Sequence, residues 1–175
     1  MIDEKTETLA LYNKNVVNAS VGYTKYGNSL YSDLWYCDTK NKICITFTPR
    51  GGCSISFQQY LDLVGLLNDG LNYDSSHIHC YRGMVFVHNL NYIHINDLLA
   101  DNYMFIKFVM NPYIRAVSVY RLYPHNISFR EYLQKHIANT LEFDESYNYH
   151  SQMQYIDGEE NVITKYIKID KYETF

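Results

Sequence analysis

The feature that most constrains this chain is a short apolar run, Ile43-Cys44-Ile45-Thr46-Phe47, that passes through Thr48-Pro49-Arg50-Gly51-Gly52-Cys53-Ser54 into a segment of helical periodicity. In that segment Phe57, Tyr60, Leu61, Val64 and Leu67 fall at i, i+3, i+4, i+7 and i+10, which lines one face of an amphipathic helix. The run before it is short and bounded by turn residues, so it reads as a strand over 43–48. Strand, glycine turn and helix in immediate succession commit the chain to packing helices on a sheet. Ser56 with Gln59 three residues on predicts a capping box, with Ser54 as rival N-cap, and Asn68-Asp69-Gly70 predicts the helix end.

The same alternation continues downstream. Residues 84–88 and 104–110 read as two further strands, apolar on both faces as buried parallel strands are. Asn111-Pro112 then opens a helix, with Asn as N-cap and Pro at the first helical position, where its missing N–H costs nothing. Tyr113, Ala116, Val117 and Tyr120 line one face of it, and Pro124 ends it. Ser128-Phe129-Arg130-Glu131 predicts a second capping box and a helix to about Leu141, and 162–169 reads as a late strand. Residues 1–40 are poorly readable beyond an irregular or hairpin-like lead-in around 21–32. This order predicts α/β with a central, mainly parallel sheet flanked by helices.

At 175 residues and 47% hydrophobic the chain can bury one substantial core, so a single domain over 1–175 is expected. A formal charge of −4 with both signs interspersed argues against nucleic acid and against an anionic membrane surface, so an anionic ligand must be held locally. Apolar runs stop well short of a membrane span and the N-terminus does not open a signal peptide. Cys37, Cys44, Cys53 and Cys80 lack CxxC spacing, which disfavours zinc and a disulfide scaffold and fits a soluble protein of the cytoplasm or another reducing compartment.

A buried strand turning through glycines into a helix N-terminus makes an anion site, because backbone N–H groups converge there and absent side chains let a ligand approach. Arg50 adds charge and Ser54 a hydroxyl; an ordinary glycine turn is the alternative. The stretch is not a Walker A motif, since the basic residue precedes the glycines and no Gly-Lys-Ser/Thr follows. A second stretch, Phe108 onward through Arg121, places Arg115 and Ser118 three apart on the helix that Asn111-Pro112 opens.

Together these stretches resemble the sulfotransferases that use 3′-phosphoadenosine 5′-phosphosulfate (PAPS), in their carbohydrate-type branch. Pro49-Arg50-Gly51-Gly52-Cys53-Ser54 matches that family's 5′-phosphosulfate loop, P-[KR]-x-G-C-[ST], at every defined position. Residues 111–120 match its 3′-phosphate motif, R-[DNE]-P-[FY]-x-R-x-x-S-x-[YF], at all but the first position, where Met110 stands for the arginine. "HSQMQ" at 150–154 and "IDKYETF" at 169–175 resemble the later H-W-x-P-Q and I-G-K-F-E-T-L elements, so the resemblance spans 43–175. It implies a short, divergent member with a P-loop-like three-layer fold, no metal, and sulfuryl transfer from PAPS to a hydroxyl or amine of a carbohydrate or similar acceptor.

The resemblance implies cofactor contacts from Arg50, Gly51, Gly52, Cys53, Ser54, Asn111, Arg115 and Ser118. Arg115 is weighed against a structural pairing with a carboxylate such as Glu173, and Ser118 against a small residue where helix meets sheet. Arg50 would stabilise the leaving phosphate. A base must take the acceptor's proton, and His88, at the end of the strand expected over 84–88, ranks ahead of His79. His150 reads as structural, and Cys53 as a thiol nucleophile finds no supporting pattern. With Met110 in the arginine's place, Arg82, Lys107 or Arg121 would have to compensate at the 3′-phosphate. An oligomer is compatible with all of this, and an inactive descendant kept as a binding or interaction module is the rival reading.

Overall fold

The computed structural model describes residues 4–25, 34–48, 52–73, 78–122, 127–137 and 158–169. Its centre is a six-stranded sheet in the order β4-β1-β2-β3-β5-β6, built from β1 (Val21–Lys25), β2 (Leu34–Asp38), β3 (Ile43–Phe47), β4 (Asn91–Tyr92), β5 (Met104–Met110) and β6 (Lys165–Ile169). Pairing is parallel for β1–β4, β3–β5 and β5–β6 and antiparallel for β1–β2 and β2–β3. Only β2 therefore opposes the common direction, and the expected mainly parallel sheet is present.

Strand alternation sends side chains to two cores. Tyr36, Ile45, Phe47 and Phe108 pack on one face with α2 (Cys53–Leu63), α4 (Ile78–Tyr81) and Val16 of α1 (Glu4–Asn18). Trp35, Cys37, Cys44 and Phe105 pack on the other with Leu98 of α5 (Ile95–Ala100). A third cluster, Val119 with Tyr132, joins α6 (Pro112–Leu122) to α7 (Phe129–Ile137). On the second face Lys107 of β5 is fully buried, and its Nζ donates to Glu159 Oε2 at 2.6 Å while the Tyr166 hydroxyl donates to Glu159 Oε1 at 3.2 Å. That ion pair fastens the 3₁₀ turn Glu159–Asn161 over the sheet.

Several expectations change. Residues 84–88 are not a strand: a π-helical segment, Arg82–Phe86, and a 3₁₀ turn, Val87–Asn89, continue α4. The buried positions Ile78, Tyr81 and Val85 fall at i, i+3 and i+7, so the helical period begins upstream of the apolar run and runs through it. Residues 4–18 form α1, and β1 pairs with β2 as the hairpin-like lead-in expects.

Helix α2 starts at Cys53, with Gly52 as N-cap, so neither Ser54 nor Ser56 caps it; Ser56 Oγ instead donates to the Gly52 carbonyl at 3.0 Å. It ends at Gly65, whose φ of +76° lets Leu66 N–H reach the Leu61 carbonyl at 2.7 Å in a Schellman arrangement. Asn68-Asp69-Gly70 lies inside α3 (Leu67–Tyr73) rather than ending α2. On α6, Tyr113 points outward at 80% exposure, and Arg115 and Val119 are the buried positions. Asn111 does cap it: its Oδ1 accepts from Tyr113 N–H at 2.9 Å and from Ile114 N–H at 3.4 Å. Ser128 Oγ accepts from Glu131 N–H at 3.2 Å, as a capping box requires. Pro124 and Leu141 lie outside the described residues.

Candidate functional site

The site follows from the connections. From β3 the chain crosses the first face to β4 at one edge of the sheet, and α5 returns it over the other face to β5, beside β3. From β5 it proceeds through α6 and α7 to β6 at the opposite edge. The neighbours β3 and β5 thus send their outgoing connections in opposite directions, a topological switch point at whose carboxyl ends α/β sheets take ligands. Because the two strands are parallel, Phe47 lying opposite Phe108, the N-termini of α2 and α6 both stand at that edge.

On the β3 side, Gly52 takes a left-handed conformation, φ +84° and ψ 26°, and its missing Cβ makes room for Ile169 of β6. Ile169 in turn is the register partner of Met110. Three of the four stretches that carry the resemblance therefore meet: the 5′ loop at Gly52, the end of β5 at Met110, and the first residue of "IDKYETF". The first-turn N–H groups of α2, at Cys53 to Ile55, have no i−4 carbonyl within the helix and carry the positive end of its dipole. Thr48, 1% exposed, leaves β3 with an Oγ1 that has no hydrogen-bond partner among the described residues. Pro49, Arg50 and Gly51 lie outside the described residues, as do His150, Gln154 and Glu173.

Packing of α4 against α2 brings His79 to this helix start. Its Nε2 lies 2.9 Å from Ser54 Oγ and 3.5 Å from Cys53 Sγ, and the hydroxyl donates or accepts according to the ring tautomer. Three residues along the same helical run, Arg82 places its guanidinium carbon 5.7 Å above the ring of Phe47, the last residue of β3. An i, i+3 pair shares one side of a helix, so an imidazole and a guanidinium both stand near the carboxyl end of β3 and the start of α2. The strand over 84–88 that put His88 ahead of His79 is absent. His88 is exposed in the 3₁₀ turn, nine positions on from His79 along the helical run, roughly 13 Å of rise. Reading 84–88 as a strand hid this pattern; His79 and Arg82 stand out only once 78–86 is taken as one helical run.

The β5 side is less polar. Met110 is 3% exposed and belongs to the core. Asn111 spends its carbonyl oxygen on the helix cap, Arg115 is buried, and Ser118 is half-buried one turn further along. Of the cations expected to compensate for Met110, Lys107 is committed to Glu159, and Arg121 lies at the far end of α6, roughly 14 Å from its start. Arg82 is the one at the carboxyl edge, on the β3 side.

Comparison of the chain with protein-family models, curated proteins and solved structures finds no match. The fold and the geometry above therefore define the class of protein: an α/β protein with a mostly parallel six-stranded sheet flanked by helices. Among the described residues no helix is long and apolar enough to cross a membrane.

Proposed function

We propose that the protein is a PAPS-dependent sulfotransferase of P-loop-like fold, acting on a hydroxyl or amine of a carbohydrate or similar acceptor. The observation that carries this reading is the convergence at one sheet edge of the α2 N-terminus, the α6 N-terminus and Ile169, in the order the family's motifs have in sequence. When bound, PAPS supplies the sulfuryl group and its leaving phosphate. Arg50 and the amides of 51–54 would hold the phosphosulfate, and Arg82, over Phe47 at the end of β3, would add a second cation at that edge. Asn111, Arg115 and Ser118 would hold the 3′-phosphate. His79 takes the place of His88 as the base: the Ser54 hydroxyl, 2.9 Å from Nε2, would pass the acceptor's proton to that nitrogen.

The fit to the cofactor is good on the β3 side and poor on the β5 side, where the family's arginine is a core methionine. A charged hydrogen bond is worth about 1.5–3 kcal/mol, so its absence weakens 3′-phosphate recognition by roughly ten- to a hundredfold. This observation also favours the second reading, a sulfotransferase fold retained as a weak or inactive binding module. Calorimetric titration with 3′-phosphoadenosine 5′-phosphate (PAP) decides. Weak binding that exceeds binding of adenosine 5′-phosphate, together with magnesium-independent sulfuryl transfer, supports the enzyme. PAP binding without transfer supports the module, and no binding of either nucleotide overturns both.

A further inference from the structure

Two cysteines that the candidate site does not use stand opposite each other in the sheet. Cys37 of β2 and Cys44 of β3 are register partners, and their sulfurs are 2.9 Å apart, with the Cys44 thiol donating to Cys37 Sγ. Directly opposed residues of antiparallel strands hold their Cα atoms about 4.5–5.5 Å apart. A disulfide spans about 4.4–6.8 Å between Cα atoms, so the backbone need not move to be bridged. Both sulfurs lie on the second face of the sheet, packed with Trp35, Leu98 and Phe105.

The turn between the two strands keeps them in register. The Asp38 carboxylate accepts from Lys40 N–H at 2.9 Å, Asn41 N–H at 3.1 Å and Asn41 Nδ2 at 2.6 Å, which locks the reversal. Cys53 and Cys80 have no such arrangement: Cys53 faces His79, and Cys80 is exposed.

We propose that Cys37 and Cys44 form a cross-strand disulfide, which makes the β2–β3 ladder a dithiol–disulfide couple. The oxidant is a small-molecule disulfide such as oxidised glutathione. The thiolate of one cysteine attacks it, forming a mixed disulfide and releasing one glutathione thiolate. The thiolate of the other then attacks the protein-side sulfur, closing the Cys37–Cys44 bond and releasing the second glutathione. Two electrons pass from the protein to glutathione, and the two cysteine protons end on the two glutathione thiols.

In the closed sheet the hydrogen bond to Cys37 and burial push the Cys44 thiol up, so it stays protonated there. Exchange therefore runs through opened or still-folding chains. The bond fastens the one reversed strand to the strand that feeds the candidate site.

The test uses the full chain in two samples: native protein held in oxidised glutathione, and reduced, denatured protein refolded in a glutathione redox buffer. Each is acid-quenched, alkylated and mapped by mass spectrometry after trypsin, which cuts at Lys40 and Lys42 between the two cysteines. The expected result, in the refolded sample at least, is a linked pair of peptides joining Cys37 to Cys44, absent in Cys37→Ser. The oxidised wild type should also melt roughly 5 °C above the reduced one, with no redox-dependent difference in Cys37→Ser. Alkylated Cys37 and Cys44 in both samples, or linkage to Cys53 or Cys80 in their place, overturns the proposal.

Discussion

Replacing Gly52 with alanine tests the joint on which the candidate site is built. At φ +84° and ψ 26° a side chain meets its own backbone, which costs about 1–2 kcal/mol for a non-glycine residue. The new Cβ also runs into Ile169 Cδ1, with Ile169 Cγ1 and Cγ2 at 3.7 Å. That methyl is the far end of its side chain, so the clash belongs at the low end of overpacking penalties, about 1 kcal/mol. Alanine's smaller unfolded-state entropy returns about 0.5 kcal/mol. Gly52→Ala should therefore lose about 2 kcal/mol, read as a fall of roughly 4–8 °C in Tm or a lower urea midpoint at unchanged slope.

Ile169→Val removes Cδ1 and separates the two causes. Alone it should cost about 0.5–1.5 kcal/mol, and combined with Gly52→Ala it should show a favourable coupling of about 1 kcal/mol. The backbone share remains in the double variant. A Gly52→Ala protein within about 0.5 kcal/mol of wild type would refute the left-handed N-cap. A full loss with no coupling would refute the contact between Gly52 and β6, and with it the convergence of the first and last motif stretches.

Lys107→Met leaves the Glu159 charge buried without its partner and should cost about 3–5 kcal/mol by urea unfolding, whereas adding Glu159→Leu should restore most of it. Asn111→Ala removes the α6 cap and should cost about 1 kcal/mol in the same assay, with Asn111→Asp near wild type. His79→Ala should lower sulfuryl transfer by roughly 10²-fold at nearly unchanged PAP affinity, while His88→Ala leaves both intact; equal loss of rate and affinity in His79→Ala would make that residue structural. Arg82→Met should weaken PAP binding about tenfold in calorimetry, and unchanged binding would reduce Arg82 to a lid on Phe47.

What was legible in the sequence was local. The Ile43–Phe47 strand, the Met104–Met110 strand and the Asn111 cap each announce themselves within a few residues, through an apolar run meeting a turn or through Asn-Pro. Helix α1 did not, because its described side chains bury little: Leu9, Leu11 and Val17 are exposed, Val16 is buried and Tyr12 packs partly buried against the core. The π-helical segment was misread because two adjacent buried residues, Val85 and Phe86, look like a buried strand when the window starts at Met84. Contacts across long separations left no trace at all. Ser54 and His79 are 25 residues apart, and Lys107 and Glu159 are 52 apart. Each pair exists only because helix α2 packs on α4, or because a turn folds back over the sheet.

The placement of charge at the carboxyl edge then separates the two readings of the site. A nucleotide held at both ends needs cations at both helix starts, and the β5 start offers a buried methionine, a capping asparagine and a buried arginine. The β3 start offers first-turn amides, a hydroxyl, an imidazole and the Arg82 guanidinium within one packed cluster. On the proposed reading, chemistry at the phosphosulfate would depend on the second set, and affinity for the 3′-phosphate on the first. On that reading the polar groups lie at the phosphosulfate end and a core methionine at the 3′-phosphate end, so nucleotide affinity is weakened more than the chemistry, and sulfuryl transfer rather than PAP affinity is the measurement that separates a weak enzyme from a binding module.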